Sequence, residues 1–162
     1  MVIRATTKEA SLLLHNVRSA HNVGAIFRTA DAAGIAKIYL SGYTPTPLDR
    51  FGRARPDVAK AALGAETHLP WEQISSPATF LKKKKQEGIF TVAIEQDASA
   101  VDYRKLTVRF PVLFVLGNEV RGLSPSLRNL CDMIAEIPMY GKKESLNVSV
   151  SAGVALFRIL HP

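Results

Sequence analysis

Short apolar runs alternate along the chain with segments whose apolar residues recur at helical spacing. The runs have the composition of strands that are covered on both faces of a parallel sheet. They span residues 11–17, 37–42, 89–96, 111–119 and 133–139. The alternation continues from end to end without a linker, repeat or low-complexity segment. It predicts one α/β domain, in which a mostly parallel sheet carries helices on both faces.

Helix signals lie between these runs and after the last one. Helices are predicted over residues 22–34, 58–63, 76–88, 124–130 and about 145–160. Asn22 is a good N-cap for the first helix, and Gly34 is a good stop. Ser145 is an acceptable N-cap for the last helix. Residues 43–57 form a long loop with three prolines, and loops of this length in compact domains are usually functional or disordered.

The net charge of the chain indicates a class of binding partner. Lysine and arginine number 21 against 14 aspartates and glutamates, a net charge of +7. Such a balance favours a polyanion, and nucleic acid first, although some soluble proteins are basic without binding one. Arginine pairs bidentately with phosphate, so the arginine-bearing loop is the best candidate for phosphate contacts. The candidate nucleic-acid-binding residues are Arg53, Arg55 and Lys60, followed by Lys142 and Lys143.

Several classes of protein are disfavoured by what the sequence lacks. A single cysteine, Cys131, excludes a disulfide framework and any multi-cysteine zinc site. The four histidines are scattered, so we expect no metal. No run approaches the ~18 apolar residues of a membrane helix, and we expect a cytoplasmic protein with no membrane partner. The fingerprints GxGxxG, GxxxxGK[ST] and GxSxG of dinucleotide, phosphate and hydrolase sites are also missing.

Three glycine- and amide-rich turns remain as candidates for a ligand site, over residues 22–28, 117–122 and 137–147. Open parallel sheets bind ligands at the carboxyl ends of their strands. Glycine lets the backbone bend tightly there. The pattern suits a ligand held mainly by main-chain N–H and C=O groups.

The same three turns carry a family resemblance. The segments NVGAIFRTADAAG, LGNEVRGLS and IPMYGKKESLNVSVSAGVALF resemble motifs one, two and three of the SpoU (TrmH-like) family of SPOUT RNA methyltransferases, in the family's order and spacing. The resemblance implies a deep trefoil knot at the C-terminus, a homodimer and S-adenosyl-L-methionine as cofactor. It also implies that the protein methylates a ribose 2′-hydroxyl of tRNA or rRNA.

The resemblance assigns roles residue by residue. The catalytic residues that it implies are Asn22, Arg28, Glu119, Ser145 and Asn147. The cofactor-binding residues that it implies are Leu116, Gly117, Asn118, Ile137, Met139, Ser145 and Leu146. Arg28 is also expected to bind RNA. The pKa of an arginine side chain exceeds ~12, so the side chain stays protonated at neutral pH. We therefore favour a role for Arg28 in binding phosphate over a role as a base.

Some features depart from the family pattern or admit another interpretation. Capping of the last helix accounts for one polar residue and leaves Asn147 unexplained, whereas Ser149 and Ser151 suit close packing. Val120 stands where relatives often have glycine, and we expect Gly122 to make that tolerable. Residues 1–162 are expected to form one methyltransferase domain without a separate RNA-binding extension. The alternatives are a SPOUT base methyltransferase, a non-catalytic RNA-binding knot protein and a generic nucleotide-binding α/β protein.

Overall fold

The computed structural model describes residues 8–162. Seven strands lie within this range: β1 Ala10–His15, β2 Lys37–Ser41, β3 Trp71–Ile74, β4 Phe90–Ile94, β5 Val101–Asp102, β6 Val112–Leu116 and β7 Met133–Glu136. The same residues form six α-helices: α1 Ala20–Ala33, α2 Pro56–Ala62, α3 Ala65–His68, α4 Pro77–Gln86, α5 Pro125–Leu130 and α6 Val148–Leu160. A 3₁₀ helix at Tyr103–Lys105 follows β5.

The strands form a single sheet in the order β3-β2-β1-β6-β4-β7-β5, and every pairing in it is parallel. Strand β1 lies between β2 and β6, so that Leu13 stands beside both Tyr39 and Val115. The predicted parallel α/β sheet is therefore confirmed. The C-terminal trefoil knot stays a prediction.

Side chains of alternate residues along the central strands enter two separate cores, one on each face of the sheet. Leu12 and Phe114 belong to the core that α1, α2, α3 and α6 cover. Leu13 and Val115 belong to the core that α4 and α5 cover. All five residues of β6 are buried. Burial on both faces explains why these strands appear as continuous apolar runs, and it confirms the predicted helices on both sides.

The edge strands were missed, and the inner strands end earlier than predicted. Both β3 and β5 lie at sheet edges, where no apolar run is required, and β5 has only two residues. Strand β1 ends at His15 instead of residue 17, and β7 ends at Glu136 instead of residue 139. The loop at residues 43–57 contains an antiparallel bridge between Leu48 and Ala54, so part of it is a hairpin.

Two predicted helix caps were wrong. The N-cap of α1 is Ser19, whose Oγ accepts a hydrogen bond from the Asn22 backbone N–H at 3.2 Å. The N-cap of α6 is Asn147, whose Oδ1 accepts one from the Ser149 N–H at 2.8 Å, and not Ser145. Both helices thus take a cap that fits, and the side chains of Asn22 and Ser145 are left for other contacts. Gly34 does end α1, in the left-handed conformation.

The remaining expectations concern membrane-spanning helices, metal sites and the single cysteine. No helix in residues 8–162 has the length and apolar character needed to cross a bilayer. The same residues contain no cluster of histidine, cysteine and carboxylate side chains suited to a metal ion. Cys131 is buried, and this burial raises the pKa of its thiol to about 12. The thiol is therefore protonated at neutral pH, as in an inert structural cysteine.

Candidate functional site

A cavity of about 250 Å³ lies at the carboxyl ends of β4, β6 and β7. These three strands are neighbours in the sheet, so their ends converge on one edge. The segment after β7 and the start of α6 complete the wall. Parallel sheets commonly place their ligand sites at this edge.

All seven residues predicted to bind the cofactor line this cavity. They are Leu116, Gly117, Asn118, Ile137, Met139, Ser145 and Leu146. The early ends of β6 and β7 explain their placement, because the residues beyond each strand turn away from the sheet and face the opening. The Gln96 side-chain amide donates to the Glu144 carbonyl at 2.6 Å, and this bond ties the segment after β7 to the end of β4.

Glycine is required at two positions of the turn after β6. A Cβ on Gly117 would lie 2.7 Å from the Gly122 carbonyl carbon, because the two ends of the turn pass each other closely. Gly122 has a φ of +62°, the left-handed conformation that glycine adopts without strain. Val120 between them is 92% exposed and has no positive φ. A valine is tolerated there, as predicted.

The Glu119 carboxylate joins the turn after β6 to the start of α1. Its Oε2 accepts a hydrogen bond from the Arg18 backbone N–H at 3.0 Å, and its Oε1 accepts one from the Ser19 N–H, also at 3.0 Å. The same Oε1 accepts a third bond from the Asn22 side-chain amide at 3.1 Å. One carboxylate therefore holds two chain segments that lie about a hundred residues apart in sequence.

The network continues from Asn22 to the last helix. The Asn147 side-chain amide donates to Asn22 Oδ1 at 3.2 Å, while Asn147 Oδ1 accepts from the Ser149 backbone N–H and hydroxyl. Asn147 therefore caps α6 and contacts α1 at the same time, which answers why capping alone did not account for it. Each of the three motifs contributes one member: Asn22, Glu119 and Asn147.

The surroundings of Glu119 favour its charged form. Burial alone would raise the pKa of this carboxyl, but the hydrogen bonds from Arg18, Ser19 and Asn22 outweigh it and lower the pKa below its ordinary value. Glu119 is thus a fixed carboxylate at neutral pH. It lies on the wall of the cavity and also on an adjacent open groove, which Arg18, Tyr43 and Arg121 border.

The charged side chains around the cavity are mostly acidic. Glu95, Glu119 and Glu144 line it, and Arg121 is the one cation among the described lining residues. This lining contrasts with the net charge of +7 of the whole chain. A cationic ligand is favoured at such a site, whereas a di- or triphosphate meets like charge.

The structure separates the other predicted residues from the cavity. Ser145 lines it, but Arg28 is exposed on α1, outside the lining, and its side chain forms no hydrogen bond or ion pair within residues 8–162. Arg53 pairs with Asp49, and Arg55 pairs with Asp57. The three candidate lysines, Lys60, Lys142 and Lys143, are exposed and also lie outside the lining.

Several lining residues were missed by the sequence analysis. They include Glu95, Gln96, Glu144, Val148 and Ser151. The rule that ligands bind at the carboxyl ends of strands could have found Glu95 and Gln96, because both directly follow β4. Ser151 was assigned to packing from its small neighbours and instead lines the cavity. Nothing in its local sequence separates it from Ser149.

Comparisons with known proteins agree with this geometry. The model of the SpoU rRNA Methylase family matches residues 9–157. The 23S rRNA (guanosine-2′-O-)-methyltransferase RlmB of Pseudomonas aeruginosa is 37% identical over 149 residues, which are 92% of this chain and 57% of that protein. The chain therefore spans less than two thirds of the length of this curated relative.

Two solved structures share the fold over nearly the whole chain. The AdoMet-bound rRNA methyltransferase from Sinorhizobium meliloti superimposes with a TM-score of 0.83 at 32% identity, covering 93% of this chain and 55% of that one. A second structure, from work on the 2-OH methylation of C/U34 on tRNA, gives a TM-score of 0.78 at 26% identity, with 93% of each chain covered. The second protein is thus similar in length as well as in fold.

The Glu119 network predicts a pH-dependent loss of stability in Glu119→Gln. A carboxylate with a lowered pKa stabilises the folded state above its unfolded pKa of about 4.3, and that contribution disappears as the pH falls through the folded value. An amide accepts more weakly and its NH₂ group opposes an N–H donor, so we expect a loss of about 1–3 kcal/mol at pH 7. The difference from wild type should shrink below about pH 4.

Guanidinium unfolding monitored by circular dichroism at several pH values measures this difference. Glu9→Gln is the matched control, because Glu9 is exposed and its side chain forms no hydrogen bond in the described part of the chain. It should follow the wild type at every pH. A Glu119→Gln protein as stable as wild type at pH 7 would show that the network contributes nothing.

Proposed function

The chain belongs to the SpoU rRNA methylase family, and on that premise we propose that it transfers a methyl group from S-adenosyl-L-methionine to a ribose 2′-hydroxyl of tRNA or rRNA. The two substrate classes follow the relatives, since RlmB is described as an rRNA enzyme and the structure of similar length concerns tRNA. We place this activity in the cytoplasm.

The observation that carries the proposal is the acidic cavity that the second and third motifs line. S-adenosylmethionine has a cationic sulfonium and no phosphate, so three glutamates against one arginine suit it better than they suit a nucleotide phosphate. Leu116, Ile137 and Leu146 supply apolar surface for a purine ring. The residues present therefore fit this cofactor.

Methyl transfer from a sulfonium depends mainly on position. The bound cofactor supplies a methyl group on a positively charged sulfur, and the oxygen that accepts it must lie in line with the bond that breaks. Glu119 is held in place by three hydrogen-bond donors. It can therefore keep Asn22 and the turn after β6 in position around the reacting oxygen and methyl group. The Ser145 hydroxyl has no hydrogen-bond partner within residues 8–162 and is available to the ribose.

The groove beside the cavity is the proposed approach for the RNA. Arg18 and Arg121 border it with exposed guanidinium groups, and Tyr43 adds an exposed aromatic ring. The turn Asn118–Arg121 separates groove from cavity, so a ribose in the groove lies next to Glu119. Asn118 stiffens this turn by accepting from the Val120 and Arg121 N–H groups and donating to the Tyr43 hydroxyl.

We further propose that the protein is a homodimer that pairs through α6. Val150, Val154 and Phe157 recur at helical spacing on its outer face, and the first and last are exposed large apolar side chains. Arg28 lies on α1, which packs against α6 close to this face: a Cβ on Gly153 would meet the Thr29 methyl group at 3.4 Å. Pairing through α6 would therefore place Arg28 near the subunit interface, which suits a residue that lies off its own cavity.

Methylation of RNA tests the activity directly. Incubation of the protein with radiolabelled S-adenosylmethionine and total tRNA or rRNA should label one of the two, and nucleoside mass spectrometry should find a 2′-O-methylated ribose. Arg28→Ala should lower the rate at least about 100-fold, because it removes a charge that positions the RNA. Circular dichroism should show that the variant is folded.

Arg109→Ala is the control for this variant, since Arg109 is exposed and precedes β6 at the opposite edge of the sheet. It should keep the wild-type rate. Full activity of Arg28→Ala would remove the proposed role of Arg28. A methylated base in place of a methylated ribose would select a base methyltransferase, and RNA binding without any transfer would select a non-catalytic RNA-binding protein.

Charge on the α6 face tests the dimer. The double variant Val150→Glu, Phe157→Glu places like charges across a pairing of two α6 helices and should convert the protein to a monomer. The molar mass measured by light scattering would then fall from twice the chain mass of 17.7 kDa to the chain mass itself. Leu63→Glu is the control, because Leu63 is 66% exposed on another surface. A monomeric wild type would contradict the proposed dimer.

A further inference from the structure

A small hairpin projects from the long loop between β2 and α2. Leu48 and Ala54 form an antiparallel bridge, and the Asp49 N–H donates to the Arg53 carbonyl at 2.8 Å. The Arg55 N–H donates to the Pro47 carbonyl at 2.9 Å and closes the base of the hairpin. Residues 47–55 therefore form a defined element, which we call the 47–55 hairpin.

The Asp49 carboxylate fixes the tip of the 47–55 hairpin from the inside. Its Oδ1 accepts hydrogen bonds from the Phe51 N–H at 2.8 Å and from the Arg53 N–H at 3.0 Å. Its Oδ2 accepts one from Arg53 Nε at 3.0 Å. The backbone on both sides of Phe51 is thus held in place, and the ring of Phe51 is presented in a set position.

Phe51 is an unusual side chain to expose. It is 66% exposed, and the guanidinium carbons of Arg50 and Arg53 lie 4.7 Å and 5.0 Å from its ring centre. A phenylalanine that serves the fold is normally buried, so this ring stabilises little of the described structure. An aromatic ring between arginines is the combination by which proteins hold unpaired nucleotides, with stacking on the base and charge on the phosphate.

We propose that Phe51 is a stacking platform for an unpaired base of the RNA substrate, and that Arg50 binds a phosphate beside that base. This inference rests on the proposed function for the presence of RNA. Arg53 is already paired with Asp49, whereas Arg50 has no ion pair within the described residues. Arg50 is therefore the cation that can leave the ring when a base arrives. An exposed cation–π contact is weaker than base stacking, so the exchange favours the base.

Charge argues for RNA over a second copy of the chain at this tip. Self-association through Phe51 would bring two Arg50 and two Arg53 side chains together, with only the two Asp49 carboxylates to offset them. A polyanionic strand meets no such repulsion. Double-stranded RNA is also disfavoured, since its bases are stacked inside the helix and cannot reach an external ring.

The position of the platform suits RNA that also reaches the cavity. Tyr43 borders the groove beside Glu119, and it precedes Phe51 by eight residues. A chain of that length spans at most about 30 Å, so the two exposed rings lie within a few nucleotides of each other. An unpaired base on Phe51 would thus belong to the same RNA loop as the methylated ribose.

Binding of an RNA stem-loop tests the platform without any need for cofactor or turnover. The probe is a fluorescein-labelled stem-loop with an unpaired loop of about eight nucleotides, and a fully paired duplex of the same length serves for comparison. Fluorescence anisotropy measures the affinity of each for wild type and for Phe51→Ala, Phe51→Trp and Leu63→Ala. The last removes an equally exposed apolar side chain from another surface, since Leu63 is also 66% exposed.

Phe51→Ala should weaken stem-loop binding by roughly 5- to 100-fold, with little effect on the duplex. Phe51→Trp and Leu63→Ala should bind like wild type. Equal stem-loop affinity of Phe51→Ala and wild type would overturn the platform alone and leave the proposed methyltransferase intact. An equal loss for stem-loop and duplex would also overturn it, and no RNA binding by wild type would overturn platform and RNA substrate together.

Discussion

The Glu119 carboxylate is the interaction on which the site depends. It lies in the turn after β6, a strand whose five residues are all buried, and it accepts three hydrogen bonds from the start of α1. Through Asn22 and Asn147 the same network reaches the first turn of α6. The first helix, the turn after β6 and the last helix are thereby held in one arrangement. The cavity wall forms between the last two of these elements, so its shape follows from a charge that must stay ionised.

The central strands were predicted well from the sequence, whereas the edge strands and the helix caps were predicted poorly. Strands β1, β4 and β6 are covered on both faces, and an apolar run is what that burial demands. Edge strands β3 and β5 have no such demand and left no pattern. The caps Ser19 and Asn147 lie two or three residues from the positions predicted, because several neighbouring polar residues can each cap a helix and tertiary contacts decide among them.

The candidate site was predicted chiefly through its motifs, and the contacts among its members needed the structure. Resemblance placed Glu119 and Asn147 in the site, but spacing alone cannot say that Asn147 bonds to Asn22. Spacing also cannot say that Arg28 lies outside the cavity lining, since that depends on the orientation of α1. Phe51 was overlooked because an isolated aromatic residue in a loop has no pattern. The acidic lining inside a basic chain appears only when the distant Glu95, Glu119 and Glu144 are brought together.

In the proposed function, this contrast of charge divides the molecule between two ligands, a cationic cofactor inside and a polyanion on the surface. The most direct test is calorimetric titration of the wild-type protein with S-adenosylmethionine, with ATP as the comparison ligand that shares its adenosine. The account predicts saturable binding of S-adenosylmethionine, one molecule per chain, and no binding of ATP. Failure of S-adenosylmethionine to bind, or binding of ATP at the same site, would contradict it.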